Sequence, residues 1–415
     1  MTSELFAPLR LRCGFVLDNR IAKAAMEEGM AGDAQSPDRR LLALYRSWGA
    51  SGAGLLITGN VMVHAHALTG PGGIVLDRTS PLEPFTRWAE AGKARGAAMW
   101  MQINHPGRQV QAAMPGVAWA PSAVAVDLGR YSRRFARPVA MTGEQIEATV
   151  ERFAVSARRA EQAGFDGVEV HAAHGYLLSQ FLSPLVNQRT DAWGGSLENR
   201  ARMLLEVVRA VREAVSPSFA VAVKLNSADF QRGGFDVADA RRVIEMLAPL
   251  GVDLVELSGG SYESPAMSGR PADERTQARE AYFLDLATDL VATSPLPLML
   301  TGGITRRETA EKVLAGGVAV VGMGTALAVT PDLPNRWRAG READAQIRPV
   351  TWTDKSLAAA VGLAQVRHQL RRVARGAAPA PGTHPAFALA ADQLIQRRAL
   401  RRYRTWLRQG SNRAR

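Results

Sequence analysis

The chain has 415 residues, 47% of them hydrophobic, with a mean hydropathy of −0.10 and a formal net charge of +12. One cysteine, Cys13, excludes an internal disulfide framework and a cysteine-rich metal site. The first ten residues lack the layout of a signal peptide, and no apolar run approaches the roughly 20 residues that span a bilayer, so we expect a cytoplasmic protein. From Arg367 onward there are twelve arginines against one acid, Asp392, so the rest of the chain is nearly neutral and is not a polyanion-binding surface.

Short apolar runs rich in β-branched residues alternate with helical patterns along the chain. Eight runs are predicted strands: 21–26, 53–58, 97–103, 167–171, 220–225, 252–257, 296–301 and 318–323. Segments 143–163 and 196–214 carry apolar residues near a 3.6-residue period, which predicts helices. Eight alternating strands are the number that closes a (β/α)8 TIM barrel, an α/β fold. An open doubly wound sheet is the alternative, but no G-x-G-x-x-G follows an early strand.

The pattern changes near position 349, so we divide the chain into a barrel domain, 1–348, and a basic helical extension, 349–415. Segments 356–376 and 388–410 are predicted helices, joined by a linker at 377–386. We expect this extension to pack on the barrel or on a second subunit of a homo-oligomer, with its arginines in solvent. Contact with nucleic acid or with a membrane through the basic tail is the less favoured interpretation.

Polar residues follow every predicted strand, where the loops of a barrel build its site. They are Glu27, Glu28, Asn60, Gln102, Asn104, His105, Arg108, His171, His174, Tyr176, Lys224, Asn226, Ser258, Thr301 and Thr325, and Gly59 precedes Asn60 after the second strand. Packing alone does not explain a polar cluster at each strand end. We therefore expect ligand binding and chemistry at this mouth of the barrel.

The last two predicted strands end in glycine-rich turns, TGGITRRET and VGMGTAL. Glycine lets backbone N–H groups approach an anion closely. Barrels often hold a phosphate in the loops after strands seven and eight. Turns that need glycine only for their geometry are the alternative. The occurrence of both turns in these two loops predicts a phosphate-bearing ligand.

Lys224 ends an otherwise apolar predicted strand, AVAVKL. A lysine there needs an acceptor to offset its loss of hydration. Three interpretations stay open from the residues alone. Lys224 forms a Schiff base with a substrate, lies against a cofactor that gains negative charge, or pairs with a barrel carboxylate such as Glu169 or Glu256.

The stretch HAAHGYLLSQFLSP places His171, His174 and Tyr176 at the end of the fourth predicted strand. Two histidines supply two metal ligands, and no neighbouring motif supplies a third, so we predict no metal site. Packing histidines are the other alternative, less suited to a pair beside a tyrosine. Two neutral imidazole N–H groups can polarise a carbonyl oxygen, and a tyrosine can supply a proton.

These residues and several longer stretches resemble a known family. NRIAKAAMEEGMA, MQINHPGRQ and HAAHGYLLSQFLSP, followed by RTDAWGGSLENR, are similar to the Old Yellow Enzyme family of flavin-dependent NAD(P)H oxidoreductases, in particular its single-domain relatives of 2,4-dienoyl-CoA reductase. The similarity covers about residues 9–338. The resemblance implies a (β/α)8 barrel that holds FMN non-covalently across its mouth, with NADH or NADPH as reductant.

The resemblance also implies roles, position by position. The residues that would hold FMN are Ala24, Ala25, Met26, Glu27, Gly59, Gln102, Lys224, Gly302, Gly303, Gly324 and Thr325. Gln102 would bind the pyrimidine edge of the flavin, Lys224 would face its N1 and C2 carbonyl, and the last four would hold the phosphate. His171 and His174 would bind the oxygen of an electron-poor alkene, such as an α,β-unsaturated carbonyl compound. Tyr176 would protonate the carbon next to the activating group after hydride transfer from flavin N5.

Two positions depart from the family pattern. Glu27 stands where relatives carry a threonine or cysteine that donates to flavin O4, and Thr325 stands where they carry an arginine on the phosphate. An ionised glutamate cannot donate, so the alternatives are a lower flavin potential, a protonated Glu27 or a Glu27 that is turned away. Thr325 can still bind the phosphate through its hydroxyl, but we expect a lower affinity for FMN.

Two other functions stay open beside the ene-reductase. One is a flavin-free lyase or isomerase barrel that acts on a phosphorylated substrate through Lys224. The other is a catalytically degenerate barrel that binds partners through its basic tail. The resemblance favours the FMN-dependent oxidoreductase.

Overall fold

Eight parallel strands form a closed barrel in the computed structural model, which describes residues 3–264, 284–343 and 345–413. The strands are β1 (Ile21–Lys23), β2 (Leu55–Ile57), β3 (Ala98–Asn104), β4 (Gly167–Ala172), β5 (Ala220–Asn226), β6 (Leu254–Ser258), β7 (Leu298–Thr301) and β8 (Val320–Met323). Each strand pairs with the next in parallel, and β8 closes on β1 with Gly322 opposite Ala22. The predicted (β/α)8 barrel and its eight strands are confirmed, with ends that differ by up to three residues.

Helices surround the barrel and follow its strands along the chain. They are α1 (Arg39–Gly49), α2 (Glu83–Lys93), α3 (Gly143–Gln162), α4 (Leu177–Leu182), α5 (Leu197–Ala214), α6 (Val237–Leu247), α7 (Leu284–Val291), α8 (Arg307–Ala315), α9 (Thr325–Val329) and α10 (Leu333–Arg338). The two helices predicted from periodicity are α3 and α5. Thr142 and Gln145 form a reciprocal capping box that begins α3, and Ser196 caps α5 through the Asn199 N–H.

Six strands of two residues each, absent from the predictions, complete the barrel's ends. Leu9–Arg10 and Val16–Leu17 form an antiparallel pair, and Leu11 and Leu17 pack with Trp100 in a buried cluster that also contains Leu55. Val61–Met62 pairs in parallel with the end of β3 and also with Ile74–Val75, while Trp119–Ala120 pairs with Val139–Ala140. Short 3-10 helices occur at Glu4–Phe6, Asp33–Gln35, Gly129–Arg134 and Ala248–Leu250.

Two helices of the C-terminal extension, α11 (Lys355–Val373) and α12 (Pro385–Arg413), pack on the barrel. Fully buried Tyr403 of α12 donates a hydrogen bond to the Ala65 carbonyl at 2.7 Å and lies in a cluster with Met62 and Val110. Helix α11 contacts α1 and the short α9 that follows β8. The two predicted tail helices are confirmed, and the division at 348 stays a prediction. Within the described ranges, no helix is long and apolar enough to cross a bilayer.

Candidate active site

His171, His174 and Tyr176 lie together at the carboxyl end of β4. The His171 ring centroid is 5.0 Å from that of His174 and 4.8 Å from that of Tyr176, with both ring pairs close to perpendicular. His171 belongs to the strand, whereas Tyr176 is the residue that precedes α4. His174 has a φ of +60°, a left-handed conformation that is uncommon outside glycine. Its N–H donates to Asn226 Oδ1 at 3.1 Å and its carbonyl accepts from Gln109 Nε2 at 2.9 Å, which stabilises this turn.

The two imidazoles are neutral and hydrogen-bonded on one side each. The Ala173 N–H donates to His171 Nδ1 at 3.2 Å, so the proton of a neutral His171 is on Nε2. His174 Nε2 lies 2.7 Å from Ser258 Oγ. Burial lowers the pKa of His171 well below its ordinary value, and burial together with the charge of Lys224 lowers the pKa of His174 to about 3. Both rings are therefore neutral near pH 7, and each carries a single N–H.

Tyr176 has a second tyrosine as its partner. The two hydroxyl oxygens of Tyr176 and Tyr262 are 3.2 Å apart, and burial raises the pKa of both phenols above the ordinary range. Both phenols therefore carry their protons at neutral pH and can donate them. Tyr262 was missed from the sequence, although its place directly after the SGGS turn of β6 is the signal that could have found it.

Lys224 is paired with Glu256 inside the barrel. The Lys224 ammonium donates to the Glu256 carboxylate, and both side chains are at most 3% exposed. Of the three interpretations of Lys224, the structure displays the ion pair with a barrel carboxylate. A lysine must be unprotonated to attack a carbonyl, and an ionised carboxylate beside it stabilises the protonated form instead. The geometry therefore disfavours the Schiff-base interpretation and leaves the ammonium available to a cofactor.

A second glutamate, Glu169, completes this buried group. Burial, and the negative charge of Glu256, raise the pKa of Glu169 well above its ordinary value. Burial also acts to raise the pKa of Glu256, but the charge of Lys224 brings it below the ordinary value. The pKa values of the two carboxyl groups are therefore shifted in opposite directions, which favours a proton on Glu169 over one on Glu256. Gln102 Nε2 donates to Glu169 Oε2 at 2.6 Å, which places the predicted Gln102 and Lys224 on one connected network.

The segment after β1 lies against the loop after β8. The Ala24 N–H donates to the Met323 carbonyl at 3.0 Å, and a Cβ added at Gly324 would lie 3.6 Å from Met26 Cγ. Ala25, Met26 and Glu27 are half-buried. Glu27 accepts a hydrogen bond from Thr69 Oγ1 at 3.1 Å, so its carboxylate is held by the neighbouring loop.

The backbone of Gly59 is bound by Glu28, which no sequence pattern distinguished from Glu27. The Gly59 N–H donates to Glu28 Oε1 at 3.1 Å, and a Cβ at this position would overlap Glu28 Oε2 and the Met26 carbonyl. Tyr45 donates to the same Glu28 oxygen at 2.5 Å, and Lys23 donates to the Ile57 carbonyl at 2.6 Å and to Tyr45 at 3.1 Å. Burial lowers the pKa of Lys23 to about 8. This network, absent from the predictions, fixes the β1 and β2 loops beside the mouth.

The two predicted phosphate turns lie side by side. Gly302 and Gly303 have φ values of 143° and 69°, which only glycine adopts readily. A Cβ at Gly322 would overlap the Thr301 hydroxyl, which shows how closely the ends of β7 and β8 approach. Gly324 and Thr325 are half-buried, and α9 begins at Thr325.

Comparison with known proteins places this geometry in a family. The model of the NADH:flavin oxidoreductase / NADH oxidase family matches residues 4–344. The chain belongs to this family. The NADH-dependent flavin oxidoreductase iliE of Hypocrea jecorina (strain QM6a) is 36% identical over 356 residues, which cover 80% of this chain and 88% of the relative.

Solved structures agree with the assignment. The old yellow enzyme homologue from Zymomonas mobilis aligns with a TM-score of 0.70 at 26% identity, covering 84% of this chain and 95% of that one. A 2-naphthoyl-CoA reductase in complex with 2-naphthoyl-CoA aligns with a TM-score of 0.76 at 28% identity, covering 82% of this chain and 53% of that one. The chain is an NAD(P)H:flavin oxidoreductase of the Old Yellow Enzyme type, with FMN as its cofactor.

The donors and acceptors at the mouth fit FMN. His171 Nε2 makes no hydrogen bond within the described part of the chain, and neither polar atom of the buried Asn104 amide has a partner there. The buried Lys224 ammonium fits the electron-rich edge of a flavin, and the glycine turns of β7 and β8 fit a phosphate. Thr325 offers a hydroxyl and no positive charge, so this phosphate site rests mainly on backbone N–H groups.

Proposed function

We propose that this protein is an ene-reductase, which reduces electron-poor alkenes such as α,β-unsaturated carbonyl compounds with electrons from NADH or NADPH. The observation that supports it is the cluster of two neutral imidazoles and a protonated tyrosine at the end of β4, beside the buried Lys224. When bound, FMN supplies hydride transfer chemistry. Gln102 and Lys224 would hold its pyrimidine edge, and Gly302, Gly303, Gly324 and Thr325 would hold its phosphate.

The histidines bind the activating oxygen of the substrate. His171 donates through Nε2, because its Nδ1 already accepts the Ala173 N–H. His174 donates through Nδ1 when its Nε2 accepts the hydroxyl hydrogen of Ser258. Two neutral donors stabilise negative charge as it develops on that oxygen, which lowers the barrier more than it tightens binding of the substrate. Both rings stay neutral at working pH because their pKa values are so low.

Tyr176 supplies the proton that completes the reduction. It donates to the carbon next to the activating group, and its raised pKa keeps the phenol protonated until the substrate carbon becomes basic. Tyr262, 3.2 Å away, is placed to return a proton to Tyr176.

The test is an anaerobic absorbance experiment on the purified protein with FMN. Flavin bands near ~450 nm should bleach with NADH or NADPH and return on addition of 2-cyclohexenone, with one saturated ketone formed for each nicotinamide oxidised. Recovery of the bands with oxygen but not with the enone would contradict the ene-reductase proposal while leaving the oxidoreductase assignment intact. A protein that takes up no FMN would instead favour the flavin-free alternative.

A further inference from the structure

An arginine-lined pocket of about 200 Å³ lies between the barrel and the C-terminal extension. Its walls are Gly29 and Met30 from the barrel, Arg40 from α1, Arg371, Ala374 and Arg375 from α11 and the turn after it, and Ile395, Arg398 and Arg402 from α12. Five of these nine residues are arginines, and none is acidic. We call this cavity the arginine pocket.

The carboxylates near the arginine pocket do not balance its charge. Arg40 pairs with Asp38 and Arg371 pairs with Asp392, each at 2.6 Å. Asp392 is shared, because Arg367 also binds it at 2.7 Å. In the described part of the chain, Asp38 and Asp392 are the carboxylates that form ion pairs with these six guanidinium groups, and Glu27 adds a more distant interaction with Arg367. The pocket therefore keeps a positive surplus that an anion would offset.

Three guanidinium groups have donors to spare. Within the described ranges, the Arg375 and Arg398 side chains make no hydrogen bond or ion pair, and both are exposed at the rim of the pocket. Arg371 is only 8% exposed, and its Nε has no partner among the residues described. Burial lowers the pKa of Arg371 despite the nearby Asp392, which reflects the cost of a buried cation without full compensation.

The arginine pocket adjoins the active site through two elements. Gly29 and Met30 directly follow the segment that contains Met26 and Glu27, so one wall of the pocket continues the wall of the flavin site. Arg367 and Arg371 lie four residues apart on one face of α11, about 6 Å from each other, and Arg375 follows four residues later in the turn after the helix. Arg367 is the nearest of the three to the mouth: a Cβ added at Gly29 would lie 3.5 Å from its Cδ, and its guanidinium interacts electrostatically with Glu27 and Tyr262.

We propose that the arginine pocket binds the phosphate end of an elongated ligand whose reactive end lies at the active site. The volume accommodates a phosphate or a diphosphate, and guanidinium groups with free donors bind such groups in a bidentate manner. Two sources carry this chemistry: the adenosine phosphates of the nicotinamide reductant, and a phosphate on the oxidising substrate. The choice between the sources rests on the proposed function, whereas the existence of the site does not.

Calorimetric titration of the FMN-loaded protein with inorganic pyrophosphate tests the site without turnover. Wild type should bind saturably, and the double variant Arg375→Ala/Arg398→Ala should bind at least about tenfold more weakly, because two charge-assisted contacts are lost. The matched control is Arg397→Ala/Arg401→Ala, which removes the same charge from exposed positions of α12 outside the pocket and should bind like wild type. No binding by wild type, or equal weakening in both double variants, would overturn the proposal.

Steady-state kinetics then identify the source of the phosphate. If it is the reductant, Arg375→Ala/Arg398→Ala raises the KM for NADPH by about tenfold or more and leaves kcat with saturating NADPH unchanged, and pyrophosphate competes with NADPH. If the phosphate belongs to the oxidising substrate, the KM values of Arg375→Ala/Arg398→Ala for NADH and NADPH stay at the wild-type level, although the wild-type protein binds pyrophosphate. If the protein binds pyrophosphate in this pocket but does not reduce 2-cyclohexenone, the ene-reductase proposal fails and the proposed phosphate site stands.

Discussion

Tyr176 is the proposed acid of the reaction, and its hydroxyl has one protein partner, the hydroxyl of Tyr262 at 3.2 Å, in the described structure. Tyr176→Phe removes the proton donor and keeps the ring that packs against His171. We expect the rate of enone reduction to fall by about 100-fold or more, in the range of general acid catalysis. Flavin reduction by the nicotinamide, which needs no proton from this residue, should be unchanged. Stopped-flow absorbance of the two half-reactions measures both rates.

Tyr262→Phe is the control for that variant. It keeps Tyr176 and removes only the neighbouring hydroxyl, so we expect a smaller loss in the enone half-reaction. An equal loss of both half-reactions in Tyr176→Phe would indicate that the phenol positions the flavin and does not act as the acid.

Among single residues, the sequence predicted the site correctly where the residues that meet in space also lie close together in one loop. His171, His174 and Tyr176 occur within six positions, so their proximity follows from local spacing. Tyr262 and Glu256 approach this cluster from β6, and Lys23, Tyr45 and Glu28 meet through β1 and α1, so their contacts depend on packing between elements. The alternatives for Lys224 could be enumerated, but choosing the Glu256 pair required the register of β5 against β6.

Helix α12 is attached to the barrel mainly through the packing of one of its faces. Its Tyr403 is fully buried against the barrel, whereas Leu394 on the same helix is 58% exposed. Tyr403→Ala removes a buried aromatic ring and its hydrogen bond to Ala65, so the free energy of unfolding should fall by about 3–5 kcal/mol. Leu394→Ala is the matched control and should change it by less than about 0.5 kcal/mol. Urea denaturation monitored by circular dichroism provides the comparison, and an equally small effect in both variants would mean that α12 is not docked in solution.

The barrel strands were predictable because each is a short buried run in which apolar residues predominate over the few polar ones, such as Gln102 and Lys224. The added strands were not, since two residues carry no periodicity. Val61–Met62 forms because β3 extends to Asn104 and offers free backbone groups there. The same limit applies to the tail: its helices were evident from spacing, but Arg367 reaching the region of Glu27 depends on how α11 docks.

Across the whole molecule, buried histidines make stability depend on pH. Burial lowers the pKa of His64 and His174 to about 3, and it also lowers the pKa of His105, His171 and His368. In the unfolded chain these rings titrate near pH 6.5. Below that pH the unfolded state binds more protons than the native state, so stability is fully present above pH 6.5 and is lost as the pH falls.

Glu169 acts in the opposite direction. Its pKa is raised in the native state, so between about pH 4.3 and that raised value the native state holds a proton that the unfolded state lacks. Asp229 and Asp239, whose pKa values burial also raises, add to this opposing effect. The histidines outnumber these acids, so near pH 5.5 the unfolded state binds more protons than the native state. The free energy of unfolding should therefore decrease as the pH falls below about 6.5.

Urea denaturation at pH 7.0, 6.0 and 5.5 measures this slope. His64→Asn offers the clearest control, because this half-buried ring lies 3.4 Å from the His105 ring, nitrogen to nitrogen, and outside the proposed reaction. In this variant the pH dependence of the free energy of unfolding should be smaller by about one proton, or about 1.4 kcal/mol per pH unit. The contribution of His105, His171 and His174 to that dependence should remain. A His64→Asn variant whose free energy of unfolding changes with pH as steeply as that of the wild type would contradict the lowered pKa of His64.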